Sequence, residues 1–345
     1  MELSNIIQQF VVDETYRYTA IDNGLINHTY EVKGEEEDQR YILQKINTKV
    51  FPFPDNINDN HVLINSILAD KKYSRQIVHL IPTLDGKLGY IDEEGEYWRM
   101  LTFVEDSVTY LKVPEPQIAF EAAQCISEFH SILNTEKGII LKDTLPGFIN
   151  FKKRVDDYKI ALDNASEERK SKSSEEIELV NKLLSLPELW ISLSENHQLP
   201  ERIIHADPKI SNILFNHHGK AIAVIDLDTM MNATLLYDFG DMMRSYCNIT
   251  NEDDASLKEN FNPEIYTAVK NGFLSHLKAI LTPTELENLD YAAQVVIYIQ
   301  AVRFLTDYLN NDIYYSTKYE EHNLDRTKNQ LNLLQNLMHF LHQKI

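Results

Sequence analysis

Cysteine is scarce in this chain: Cys125 and Cys247 are the only two in 345 residues, and their spacing gives neither a disulfide framework nor a thiolate metal site. Both lie in apolar, helical-looking stretches and read as buried packing residues. Positive charge is also in short supply, with 33 Lys and Arg against 53 Asp and Glu, a net charge of −20 and a pI near 5.0. Such a surface lacks the basic patches that nucleic acid or an anionic membrane requires, so neither is expected as a partner. No apolar run approaches the length needed to cross a membrane. The first residues, Met1 to Asn5, lack the basic and long apolar regions of a signal peptide, and a soluble cytoplasmic protein is expected. Internal repeats and low-complexity tracts are missing too. The charged, Ser-rich stretch from Ser166 to Glu178 reads as a solvated helix end or mobile loop.

What is present is enough apolar material for real cores, 43% of the chain. At this length a single core has usually stopped growing, so two lobes are expected. Leu3 to Val11 has helical spacing. Tyr16 to Ile21, Asn23 to Val32 and Tyr41 to Asn47 read as three strands joined by turns. Pro54 to Leu68 carries Ile57, Ile64, Ile67 and Leu68 at helical intervals. Lys87 to Ile91 and Tyr97 to Val104 then complete a sheet around the turn at Asp92 to Glu96. From Glu115 the pattern changes to helical period and keeps it, with probable core helices at Pro263 to Ile280, Pro283 to Asn310 and His322 to Lys344. The boundary is expected at 104/105, giving a β-rich lobe of residues 1–104 and a mostly helical lobe of residues 105–345, an α+β fold.

The chemistry concentrates in Ile203-Ile204-His205-Ala206-Asp207-Pro208-Lys209-Ile210-Ser211-Asn212 and the short apolar hairpin that follows it, ending at Asp226 and Asp228. Moving a γ-phosphoryl group needs a base for the acceptor hydroxyl, Mg²⁺ on the phosphate oxygens and nearby positive charge. Asp207 supplies the base, Lys209 a cation for the γ-phosphate, and His205 a scaffold for the loop. Asn212 and Asp226 supply metal oxygens, with Asp228 a further metal donor or a residue that fixes the loop by hydrogen bonds. A literal Asp238-Phe239-Gly240 lies twelve residues beyond Asp226. Asp238 reads there as the cap and dipole partner of a helix rather than a metal ligand.

His205, Asp207, Lys209 and Asn212 match H-x-D-x-K-x-x-N and resemble the catalytic segment of the protein-kinase-like superfamily, in its aminoglycoside phosphotransferase and choline kinase branch. That resemblance implies a two-lobed kinase-like fold with an antiparallel sheet and one main helix in the smaller lobe, and Mg²⁺ and ATP as cofactors. It implies that Gly24, Asn27, His28 and Thr29 lie at the phosphate-covering or substrate turn. Thr102, Phe103 and Val104 become the hinge whose backbone reads adenine. A strand cation is expected for the phosphates; strand alternation puts Gln44 and Lys45 on opposite faces, and Lys45 is favoured, with Asp59 as its partner. The acidic balance does not exclude ATP, since Mg²⁺ and a few local cations neutralise its phosphates.

Further motifs sharpen the likeness: Gly24-x-Ile26-Asn27-x-Thr29-Tyr30, Ile42 to Asn47, Leu145-Pro146-Gly147-Phe148, Val224 to Thr229, Tyr237 to Asp241, and Arg303 to Leu309. Together they are similar to the N-acetylhexosamine 1-kinases, which phosphorylate the anomeric hydroxyl of the sugar with ATP. On that resemblance Arg303 binds the sugar or a phosphate and Asp307 orients Arg303. The plain alternative for this pair is an i, i+4 salt bridge on a helix surface. An amino alcohol or aminoglycoside kinase and a nucleotide-binding pseudokinase remain alternatives, and the state expected is a monomer or weak homodimer.

Overall fold

Alternating apolar residues in the first hundred positions build an antiparallel sheet. The computed structural model describes residues 3–11, 16–21, 26–34, 39–136 and 138–342; Gly24 lies outside them. The sheet contains β1 (Tyr16–Ile21), β2 (His28–Gly34), β3 (Arg40–Ile46), β4 (Leu80–Ile81), β5 (Tyr90–Ile91) and β6 (Tyr97–Thr102), in the order β1-β2-β3-β6-β4 with β5 also on β6. Val32, Leu43, Met100 and Trp98 point to one face and bury against Ile6, Ile7 and Phe10 of the leading segment, whose helix α1 covers Leu3–Ile7. Ile42 and Leu101 point to the other face and join Val78, Val104, Leu214 and Ala223. The expected strand at Lys87 shortens to β5, because Thr83 and Lys87 close a turn through Thr83 N–H to Lys87 O (2.7 Å) and Lys87 N–H to Thr83 Oγ1 (2.9 Å).

The helix of this half, α2 (Pro54–Asp70), starts with Pro at its first position and Asp55 in its first turn, and buries Ile57, Ile64 and Leu68. Its buried face also carries Asn58, His61 and Asn65. Polar groups at buried positions need partners. The His61 Nε2–H donates to Val78 O at 2.7 Å, and Asn65 Nδ2 donates to the same carbonyl at 2.8 Å.

The chain forms two compact units, divided differently from the single cut expected at 104/105. The first comprises Met1–Thr109, Phe129–Pro146 and Asn212–Asn232, and the second Tyr110–Glu128, Gly147–Ser211 and Ala233–Ile345. Pairing explains the difference. β7 (Val108–Thr109) pairs with Ile213–Phe215, which pairs with Ala221–Val224, so the hairpin after Asn212 forms a three-stranded sheet of its own within the first unit. Asn232 adds to this by accepting from Leu141 N–H (2.7 Å) and donating to Ile139 O (2.9 Å).

The second unit is helical. It contains most of α3 (Pro116–Leu133), then α4 (Phe151–Asn164), α5 (Glu167–Lys172), α6 (Ser174–Lys182), α7 (Ser185–Glu195), α8 (Leu235–Tyr246), α9 (Pro263–Leu277), α10 (Pro283–Glu287), α11 (Leu289–Leu309) and α12 (His322–His342). The Ser-rich stretch expected as a helix end or loop is thus α5 and the start of α6. The long helix expected from Pro283 to Asn310 breaks at Asn288, whose side chain donates back to Thr284 O at 2.8 Å. α11 is apolar on nearly every side because α4, α8 and α12 all pack on it. The α8–α11 approach depends on Gly240, where a Cβ would come within 2.6 Å of Ala292 O and 2.5 Å of Val296 Cγ2. Among the described residues no helix is long and apolar enough to cross a membrane.

Candidate active site

In the second unit, the strand Arg202–Ile204 leads into His205 and Asp207. His205 is fully buried, and its Nδ1 accepts from Asp207 N–H at 3.3 Å. Ala206 between them has φ +64°, a left-handed conformation disfavoured for a residue with a Cβ. What holds it is Asp238. Its two carboxylate oxygens accept from His205 N–H (2.8 Å) and Ala206 N–H (2.9 Å), and Tyr246 Oη–H donates to Pro208 O (2.9 Å).

The cap role expected for Asp238 is therefore corrected. Helix α8 begins one turn earlier, at Leu235, where Thr234 Oγ1 accepts from Leu236 N–H at 3.3 Å. Asp238 is completely buried within the first turn of that helix and serves as a clamp on the loop from His205 to Asp207. Asp207 itself ion-pairs with Lys209 at 2.7 Å, with both side chains partly exposed. Lys209, expected against a γ-phosphate, here rests on Asp207.

In the first unit, Ile225 N–H donates to Asn212 O at 2.9 Å, which sets the end of the Ala221–Val224 strand beside Asn212. Asp226 follows in the left-handed region, at φ +62° and ψ +57°. Asn212 and Asp226 thus stand on adjacent backbone, and an amide and a carboxylate oxygen are the donor chemistry that suits Mg²⁺, which takes one or two protein oxygens and completes its shell with phosphate and water. Among the described residues no cluster of three His, Cys, Asp or Glu side chains forms a closed metal site.

Asp228, expected with the metal donors, is engaged elsewhere. It is 1% exposed, its Oδ1 lies 2.5 Å from Arg99 Nη2, and its Oδ2 accepts from Asn27 Nδ2 at 2.8 Å. Asn27 also accepts from Asn47 N–H at 2.9 Å, so it ties its turn to Asp228 and to the end of β3. Thr29 Oγ1 accepts from Gln44 Nε2 at 3.3 Å, while His28 is exposed.

The pair expected between Lys45 and Asp59 does not form. Lys45 lies 3.6 Å from Glu96, and Asp59 is paired with Lys142 at 2.5 Å. The register supplies the reason: Gln44 stands opposite Arg99 and Lys45 opposite Trp98, so Gln44 and Arg99 share a face. Arg99 donates to Gln44 Oε1 from Nε (3.0 Å) and Nη2 (2.7 Å). The buried cation among the described residues of this unit is therefore Arg99, which the sequence reading missed; its signal was a lone Arg in the apolar strand Tyr97-Trp98-Arg99-Met100-Leu101. Burial also pushes the nearby His61 imidazole down to about 4.

At the expected hinge, Thr102 is fixed to His79 by Thr102 N–H to His79 O and His79 N–H to Thr102 Oγ1, both 2.9 Å. The Phe103 ring lies 3.7 Å from the Arg40 guanidinium, and Val104 O accepts from Ser107 Oγ–H at 2.7 Å.

Arg303 and Asp307 do not pair. Asp307 accepts from the backbone N–H groups of Ile313 (3.0 Å), Tyr314 (2.8 Å) and Tyr315 (2.9 Å), and from Asn323 Nδ2 (2.9 Å). Those four bonds fold the segment after α11 back on itself. Arg303 instead donates to Gln300 Oε1 at 3.2 Å and lies over the rings of Phe148 (5.4 Å) and Tyr315 (5.7 Å).

Known proteins share the fold. An aminoglycoside phosphotransferase from Alicyclobacillus acidocaldarius superposes with a TM-score of 0.66 at 12% identity, covering 98% of this chain and 94% of that one. The spectinomycin phosphotransferase APH(9)-Ia, solved with ADP and spectinomycin, gives 0.62 at 13% identity, covering 99% and 98%. Choline kinase from Cryptosporidium parvum gives 0.57 at 16%, covering 99% and 96%. At these identities the structures establish a shared kinase-like fold. The model of the phosphotransferase enzyme family matches residues 17–262, more than half of the chain and all of the stretch from His205 to Asn212, and the chain belongs to that family.

Proposed function

We propose that this chain is an ATP-dependent small-molecule kinase that transfers the γ-phosphoryl group to a hydroxyl, with the anomeric O1 of an N-acetylhexosamine as acceptor. The observation that carries the kinase reading is Asp207, presented on a loop held by Asp238 and Tyr246. A partly exposed carboxylate on a rigid loop is what a general base for a hydroxyl requires. Its bond to Lys209 helps to fix the carboxylate that would orient the acceptor.

Mg²⁺, when bound, offsets the phosphate charge, and Asn212 and Asp226 are the residues that would hold it. Arg99 anchors Asp228 and Gln44, which in turn steady the turn at Asn27 and Thr29, expected beside the phosphates. Thr102, Phe103 and Val104 are assigned to the adenine edge. Support for the nucleotide comes from relatives solved with ADP or AMP, and for small-molecule acceptors from the spectinomycin and choline enzymes. The sugar rests on the motif likeness to N-acetylhexosamine 1-kinases.

The test is ADP release from Mg-ATP across free hexoses, N-acetylhexosamines, choline, ethanolamine, homoserine and aminoglycosides. Turnover on an N-acetylhexosamine yielding the 1-phosphate, and reduced about 10²- to 10⁴-fold in Asp207→Asn, supports the assignment. Turnover confined to an amine-bearing substrate would keep the kinase and replace the acceptor.

A further inference from the structure

Among the described residues, three arginines of the second unit, Arg154, Arg303 and Arg326, lack the carboxylate that their neighbours have; Arg326 donates instead to Ser316 O and Asn323 Oδ1. Arg169, Arg202 and Arg244 hold Asp312, Glu285 and Asp241 at 2.7, 2.9 and 2.7 Å. Arg154 and Arg303 make no ion pair among the described residues, in a chain with 53 acidic side chains to draw on. They meet at Phe148. Arg154 Nη2 donates to Phe148 O at 3.3 Å, and the Arg303 guanidinium lies 5.4 Å above the Phe148 ring. The Arg154 Nε–H is buried with no protein acceptor. Asp157, the acid that acts on Arg154 from its own helix, is held by Lys153 at 2.7 and 2.8 Å.

The sequence builds this arrangement deliberately. Gly147 takes φ +72°, a conformation open to glycine, as the chain turns into Phe148 ahead of α4. Asp307 spends its carboxylate on the backbone of residues 313–315, which brings Tyr315 to 5.7 Å from Arg303 instead of neutralising it. Tyr237, edge-on to Phe148 at 6.1 Å, connects the arginines to α8 one residue before Asp238, the clamp on the Asp207 loop.

Two neighbouring partly buried cations without a counter-charge are costly, and burial together with the charge of Arg303 lowers the Arg154 pKa. A ligand oxyanion would relieve both, and guanidinium forks suit carboxylate and phosphate oxygens. We propose that Arg154 and Arg303 form an acceptor subsite for an oxyanion, so that an N-acetylhexosamine carrying a carboxylate or phosphate of its own is preferred as acceptor over its neutral parent and over an amine. This rests on the kinase reading for its place beside Asp207, though the subsite itself can be tested without turnover. It disfavours choline and aminoglycosides, whose cations the arginines repel.

The experiment compares N-acetylglucosamine, N-acetylglucosaminuronate and N-acetylglucosamine 6-phosphate as acceptors with Mg-ATP, and titrates the same three sugars by calorimetry. It adds acetate and sulfate as inhibitors at constant ionic strength set with chloride. The expected result is a kcat/KM or an affinity roughly 10- to 100-fold higher for at least one charged sugar, the carboxylate and phosphate arms saying which. Acetate or sulfate should compete with the acceptor and not with ATP. Arg154→Gln and Arg303→Gln should erase the preference and the competition with KM for ATP unchanged, and Arg303→Lys should recover part of both in a folded protein. A neutral sugar equal to both charged ones, with no anion competition, overturns the subsite. No ADP release above Asp207→Asn, with charged sugars still binding through the arginines, overturns the kinase reading and leaves the subsite standing; no binding in calorimetry either overturns both.

Discussion

Arg99 and Asp228 form an ion pair at 2.5 Å with both side chains at most 2% exposed, and they bind Gln44 on β3 and Asn27 just before β2. A buried pair of this kind contributes little over well-packed apolar residues, but either partner left alone is an uncompensated buried charge. Arg99→Met is expected to cost about 3–5 kcal/mol of stability. The double variant Arg99→Met with Asp228→Leu should cost distinctly less than the two single changes summed. Urea unfolding of the four proteins reads the coupling, and strictly additive losses would show that the pair is not acting as a unit.

His61 carries the pH prediction. Its Nε2–H is committed to Val78 O, and burial holds its pKa near 4 against 6.5 for the free side chain. The folded state thus binds this proton more weakly than the unfolded chain. Its contribution is fully present above about pH 6.5 and is lost as pH falls towards 4, worth up to about 3 kcal/mol. His61→Gln keeps a donor for Val78 without a titrating ring. Unfolding midpoints between pH 7.5 and 4.5 should fall less steeply in that variant, and equal slopes would place the acid sensitivity elsewhere.

The elements carried by local pattern were legible: β1 to β3, α2, and the run from His205 to Asn212. What escaped were partner choices made over long distances. Gln44 and Lys45 are both suitable by residue type, and only the β3–β6 register shows that Gln44 faces Arg99. Arg303 and Asp307 have the spacing of a helical salt bridge, yet backbone N–H groups six to eight residues beyond Asp307 claim its carboxylate. Asp238 looked like a helix cap because Thr234, the actual cap, sits in a stretch whose apolar Leu235 and Leu236 do not announce a helix start. The hairpin's membership in the first unit likewise depends on Val108 and Thr109 finding Phe215 and Leu214, a pairing no local period encodes.

Asp226 and Asp238 separate two ways in which a carboxylate can be essential. Asp226 follows its strand beside the backbone of Asn212, and on the proposed reading its carboxylate holds the metal. Asp238 has both oxygens on the N–H groups of His205 and Ala206, so its charge compensates two loop dipoles and the left-handed Ala206. Asp226→Asn is therefore expected to abolish Mg²⁺-dependent turnover. In Asp238→Asn one amide group would face a backbone N–H donor to donor, costing about 1–3 kcal/mol of stability and loosening the loop that carries Asp207. Its kcat should fall, yet the Mg²⁺ concentration giving half-maximal rate should stay where it is, because the metal donors are untouched. Titrating Mg²⁺ against initial rate in both variants decides the matter. A marked rise in the Mg²⁺ requirement of Asp238→Asn, with Asp226→Asn active, would transfer the metal role to Asp238 and take Asp226 out of the reaction.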